Sequence, residues 1–236
     1  TTTITGGTTA TDVVNYSVAG ATVVTGDATT LTVTGTTGVD TFTNTGNGAT
    51  STTLGGGIDI YTGGGAVDSI VIGATAADAD IIETFTVGAD KIDLSIAILN
   101  QAAAGIVDAG DLSAVTTVNA VIAAGTGDTQ FILSDNAFDL DLTDVTDASG
   151  MTAVEIASIT TAARTVLNAT TSTNLDGEFA ANETVILVLD DTTDTSSAIF
   201  SFNNSTATGN TISDGELILL AVVDANAILA TGDIII

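Results

Sequence analysis

The sequence predicts a mainly β protein: an N-terminal region resembling a parallel β-roll or β-solenoid, then a β-rich, sandwich-like region with one or two short helices. Three observations predict this. First, Thr, Val and Ile recur together in short runs such as Thr29-Thr30-Leu31-Thr32-Val33-Thr34. β-Branched side chains fit a pleated surface better than a helix. Second, turn residues punctuate these runs, and with no proline in the chain the turns rest on Gly, Asn and Asp. Third, the stretch LGGGIDIYTGGGAVDSIVIG, Leu54 to Gly73, says nearly the same phrase twice, with Asp59 and Asp68 nine residues apart.

Residues 1–95 form the Thr/Gly/Asp-rich β region, and residues 96–236 form a second β-rich region. In the first, Asn47-Gly48 between Thr-rich segments predicts a tight hairpin turn. In the second, Asp111 to Ala124 reads as a helix ending before Gly125. Met151 to Leu167 reads as another, with Ile156, Ile159, Ala163 and Val166 near one face and Thr152/Glu155 at capping-box spacing. Gln130–Leu133 and Phe138–Leu142 read as strands. So do the apolar runs Val185–Leu189, Ala198–Phe202 and Leu217–Val223.

The charge balance excludes several functions. Twenty-nine acidic residues face two basic ones, Lys91 and Arg164, for a net charge of −27. Nucleic acid and anionic membrane surfaces both need Lys and Arg, so neither is an expected partner. No apolar stretch reaches membrane-spanning length, so membrane insertion is not expected. Without Cys or His there is no disulfide, no Cys/His zinc site and no imidazole base. Paired carboxylates are available for glycoside chemistry, but absent Trp and only two Tyr disfavour a sugar-stacking cleft. No enzymatic role is expected. Divalent cations, calcium above all, are the natural partners for so many hard carboxylate ligands.

The echoed phrase has a physical reading. A glycine-rich turn ends in aspartate, and a minimal strand follows with one apolar residue inward. Gly55-Gly56-Gly57-Ile58-Asp59 leads into Ile60-Tyr61-Thr62. Gly63-Gly64-Gly65-Ala66-Val67-Asp68 leads into Ser69-Ile70-Val71. Tyr61 and Ile70 are the inward positions. Two units make one turn of a roll, so Asp59 and Asp68 lie on opposite edges. Gly35 to Phe42, containing Gly38 and Asp40, repeats the pattern upstream, and Gly73 to Asp78 repeats it weakly downstream. Asp40, Asp59 and Asp78 follow one another at intervals of 19, one more than two nonapeptides, which calls for a bulge or irregular turn but still lets them stack along one edge. The alternative is a glycine-rich hairpin with solvated aspartates.

These residues resemble the RTX family, the calcium-binding repeat proteins of bacterial type I secretion. The segment Asp80 to Ser95, with its Asp-Lys-Ile-Asp-Leu-Ser core, looks like the stretch that closes the roll in that family. The resemblance implies Ca2+ held by turn carbonyls and carboxylates among Gly38, Asp40, Gly55, Gly57, Asp59, Gly64, Asp68 and Asp78. Ala66 departs from the pattern, standing where the third glycine belongs.

At the other end, Thr231-Gly232-Asp233-Ile234-Ile235-Ile236 resembles the uncleaved C-terminal signals of type I secreted proteins. Thr1 to Thr5 carries neither the basic nor the long apolar region of a cleavable leader. The expected protein is therefore bacterial and extracellular or on the cell surface. Its expected role is a self-assembling calcium-binding structural subunit, of a surface layer or an extracellular filament, with copies of itself as partners. The alternative is an adhesin for a cell-surface glycan, or a non-catalytic calcium-binding module of a larger exoprotein.

Overall fold

The computed structural model describes residues 3–5, 11–15, 22–25, 30–44, 46, 48–73, 78–94, 106–111, 130–135, 151–169, 184–191, 195–203, 211–230 and 232–235. Among them the protein is mainly β, with one helix and two sheets. The chain deals its first ten strands alternately to the two sheets. One sheet takes β1 (Thr3–Thr5), β3 (Thr22–Thr25), β5 (Thr41–Asn44), β7 (Ile60–Thr62) and β9 (Asp80–Phe85). The other takes β2 (Thr11–Asn15), β4 (Thr30–Thr34), β6 (Ala49–Thr53), β8 (Ser69–Ile72) and β10 (Lys91–Leu94). Neighbours within each set are parallel.

The register explains the interval of 19. Thr3 pairs with Thr22, Thr22 with Thr41, and Thr41 with Ile60; Thr11 pairs with Thr30, and Thr30 with Ala49. Nineteen residues is thus the regular length of one two-strand repeat here, and no bulge is needed to reach it. Later repeats vary: Ser51 pairs with Ser69, Ile60 with Ile81 and Ser69 with Lys91. The hairpin expected at Asn47-Gly48 does not form. β5 and β6, which flank it, belong to different sheets, so the chain passes from one sheet to the other there instead of pairing back on itself. Asn47 itself lies outside the described residues.

The second region extends the first sheet rather than forming one apart from it. β11 (Ile106–Asp111), β12 (Gln130–Asp135), β13 (Thr184–Asp191), β14 (Ser196–Asn203) and β15 (Leu217–Ala225) continue it to ten strands, in the order β1-β3-β5-β7-β9-β15-β14-β13-β12-β11. The pairs β13–β14 and β14–β15 are antiparallel. β16 (Ile234–Ile235) returns to the other sheet and pairs in parallel with β10. Helix α1 (Ala153–Ala169) starts with the expected capping box: Glu155 N–H donates to Thr152 Oγ1 at 3.3 Å, and Thr152 N–H donates to the Glu155 carboxylate. The helix expected over Asp111–Ala124 falls outside the described residues beyond Asp111, which ends β11. The strand expected over Phe138–Leu142 also lies outside them.

Two apolar layers hold this together. Between the sheets lie Val33, Phe42, Leu54, Tyr61, Ile70, Ile82, Ile92, Val188 and Ile199. Between the ten-stranded sheet and α1 lie Ile81, Leu187, Leu189, Phe200, Phe202 and Leu219, with Ile159, Ala163, Val166 and Leu167. Consecutive residues such as Ile81 and Ile82 thus enter opposite layers. A sheet covered on both faces needs continuous apolar runs, which is why Val185–Leu189 does not alternate.

Candidate acidic site at the turns

Asp40, Asp59, Asp68 and Asp90 end the turns that feed β5, β7, β8 and β10, Asp80 opens β9, and these aspartates stack. On the edge leading into the ten-stranded sheet, Asp40 N–H donates to Asp59 Oδ1 at 2.7 Å, and Asp59 N–H donates to Asp80 Oδ1 at 3.0 Å. On the opposite edge, Thr50 N–H donates to Asp68 Oδ1 at 2.8 Å, and Asp68 N–H donates to Asp90 Oδ1 at 2.9 Å. One carboxylate oxygen therefore ties each repeat to its neighbour. The second oxygen closes the aspartate's own turn. Asp40 Oδ2 accepts from Thr36 N–H and Oγ1, Asp68 Oδ2 from Gly64 N–H, Asp80 Oδ2 from Gly73 N–H, and Asp90 Oδ2 from Thr86 N–H. Amide donors take the place of water around these buried carboxyl oxygens.

Asp59 departs from the pattern. It is fully buried, yet its Oδ2 has no hydrogen-bond partner. Its own turn spends its amides elsewhere: Gly56 N–H donates to Thr36 O at 2.7 Å, and Gly57 N–H donates to Asp78 Oδ1 at 2.9 Å. Burial pushes the Asp59 carboxyl up to about 8; the charges of Asp40 and Asp78 add to the rise, and the Asp40 amide opposes it. Asp80 also rises well above the ordinary carboxylate range, from burial first and then the charge of Asp59. Asp90 rises through burial, opposed by its amide donors and by Lys91.

The glycines among the predicted ligands have a steric role. Gly57 has φ +108°, and a Cβ there would lie 2.8 Å from Gly38 C and 3.0 Å from Gly38 Cα. Gly55 has φ +100°. A Cβ on Gly64 would meet Asn44 Nδ2 and Gly46 O at 2.6 Å. Turn stacks on turn at backbone contact. Gly57→Ala should therefore cost about 2–4 kcal/mol, from left-handed strain plus displacement of the Gly38 backbone. Urea denaturation checks this, and a loss within experimental error would refute the close stacking.

The predicted residues are thus brought together by edge. Gly38, Asp40, Gly55, Gly57, Asp59 and Asp78 gather on one edge; Gly64 and Asp68 lie on the other. The register partner of Asp59 is Asp80, not Asp78; Asp78 instead holds the Gly57 amide. Asp80, Asp90 and Asp233 were missing from the predicted set. Their signal was present: like Asp40, Asp59 and Asp68, each stands immediately before a short strand or opens one. Among the described residues, no group of three or more acidic side chains is already arranged as a metal site. The Asp59 edge still suits a hard cation, since it holds a buried carboxylate oxygen without a donor and further carboxylates beside it. At Asp68, a cation would have to displace the Thr50, Asn44 and Gly64 donors.

No family model, curated protein or solved structure matches this chain.

Proposed function

We propose that this chain is a secreted, calcium-binding structural protein whose N-terminal strands form a β-roll and which self-assembles into a surface layer or extracellular filament. The observation that carries the reading is the Asp59 edge, where an unpartnered buried carboxylate oxygen sits near other carboxylates in a chain of net charge −27. Asp59, Asp40 and Asp78, with carbonyls of the Gly38 and Gly55–Gly57 turns, would hold Ca2+. The bound ion supplies positive charge that water and Lys side chains do not provide there. Asp59 then ionises without penalty, and the turns it joins stay stacked. Without the ion, self-repulsion favours the unfolded chain, the form suited to export. Outside the cell, calcium favours the folded form.

Self-assembly would use the sheet edges: among the described residues, β1 and β11 end one sheet, and β2 and β16 end the other. The outer face of the six-stranded sheet favours the second reading, an adhesive face. Thr32, Thr34, Ser51, Thr53 and Ser69 stand there partly or fully exposed, a hydroxyl surface suited to a glycan.

Calcium at a hundredfold excess over its dissociation constant stabilises by about 2.7 kcal/mol. For a chain of this size, that raises the melting midpoint by roughly 5–10 °C. Thermal unfolding after chelation, with and without millimolar calcium, measures it. Light scattering on the same samples separates the roles: growing assemblies support the structural subunit, and a calcium-stabilised monomer supports the adhesin. An unchanged midpoint would sink the calcium reading.

A further inference from the structure

The C-terminal strand is held to the sheet by a small, concentrated set of contacts. Asp233 Oδ1 accepts from Gly88 N–H at 2.9 Å and Lys91 Nζ at 3.3 Å, and Asp233 Oδ2 accepts from Ala230 N–H at 2.9 Å. Ile92 N–H donates to Asp233 O at 2.7 Å. Ile234 and Leu229 are buried in the layer between the sheets. The strand itself is only two residues, pairing Ile92 with Ile234 and Asp93 with Ile235. It pairs with β10 in the six-stranded sheet, whereas β15 before it lies in the ten-stranded one. Lys91, one of only two cations in the chain, stands at this slot.

We propose that the β10 edge is an intersubunit slot that takes the C-terminal strand of a second copy. This rests on the self-assembly reading above and names its interface. A neighbour's strand brings the same Asp233 to the same Lys91 and Gly88, and the same Ile234 to the same layer between the sheets. Exchange therefore conserves every contact and changes only which chain supplies the strand. Charge selects the occupant: in a chain this acidic, a lone Lys at the slot favours a strand opened by an aspartate. Two copies that exchange strands reciprocally close into a dimer; a copy that gives its strand to one neighbour and takes another's exchanges head-to-tail. Where the rotation does not close, it propagates into a filament.

The chain has no cysteine, which makes a disulfide test clean. Asp93 and Ile235 are register partners and both are accessible. In Asp93→Cys/Ile235→Cys, oxidation of the dilute monomer ties the tail to its own chain. The expected result is loss of calcium-dependent assembly on oxidation and its return on reduction, while the unsubstituted chain assembles throughout. In a second arm, Asp93→Cys and Ile235→Cys chains are assembled together and then oxidised, and disulfide-linked pairs of unlike chains should form. Assembly by the locked chain, or mixed assemblies without such pairs, overturns the exchange and leaves self-assembly standing. An unsubstituted chain that stays monomeric, with no cross-linked pairs from the mixture, overturns both.

Discussion

Asp59→Asn should make the calcium-free protein more stable at pH 8, although it alters a fully buried residue. In the folded chain the Asp59 carboxyl is pushed up to about 8, whereas an exposed aspartate titrates near 3.8. Between those values the folded state holds a proton that the unfolded state has released. Stability therefore falls as pH rises across that window, by up to about 1.4 kcal/mol per pH unit from this group. The contribution is least unfavourable in acid and most unfavourable above pH 8. Asn keeps an oxygen to accept from Asp40 N–H and places an N–H donor where Oδ2 stood, among the carboxylates of Asp40 and Asp78. The expected gain at pH 8 is roughly 2–4 kcal/mol, shrinking toward pH 5. Asp80 should relax as well, because the Asp59 charge is part of what raises it. Urea denaturation in chelator at pH 5 and pH 8 measures both values. A substituted protein that keeps the original pH slope would show that Asp59 is not the titrating group. With calcium the order should reverse, because the substitution removes the open ligand.

The repeat was legible in the sequence because the chemistry of a turn is local. Glycines where backbones touch, an aspartate at the end of the turn and an apolar residue two places on all read directly from LGGGIDIYTGGGAVDSIVIG. Tyr61 and Ile70 are buried as expected, and Asp59 and Asp68 occupy opposite edges. The period was less legible. Against a nonapeptide period an interval of 19 is irregular, yet Thr3, Thr22 and Thr41 carry it through strands with no glycine signature. The failed hairpin at Asn47-Gly48 has a related cause: a tight-turn dipeptide says that the chain bends, not whether the next strand pairs with the last. The stacking of Asp40 with Asp59 was legible, but the next partner of Asp59 was not. Asp80 rather than Asp78 faces Asp59 because this repeat runs to 21 residues instead of 19. The Asp233 contacts join residues more than 140 positions apart, and no local pattern announces them.

Asp68→Asn should do the opposite of Asp59→Asn, nine residues away in the same echoed phrase. The Asp68 carboxylate is saturated: Oδ1 accepts from Thr50 N–H at 2.8 Å, Thr50 Oγ1 at 2.9 Å and Asn44 Nδ2 at 3.4 Å, and Oδ2 accepts from Gly64 N–H at 3.1 Å. Asn supplies one acceptor, so its amide nitrogen must face either the Gly64 N–H or the Thr50 and Asn44 donors. The expected loss is about 1–3 kcal/mol for Asn. Asp68→Ala strands every one of those donors in a buried site and should lose roughly 3–5 kcal/mol. Tyr61 shares the network through its 2.6 Å hydrogen bond with Thr50 Oγ1, so Tyr61→Phe and Asp68→Asn should be non-additive in a double-mutant cycle. The cation dependence separates the two edges. If Asp68 acts only as a hydrogen-bond acceptor, its loss is the same in calcium and in chelator. A loss that grows in calcium would instead place an ion at Asp68, and its four donors would then have to turn away to admit it.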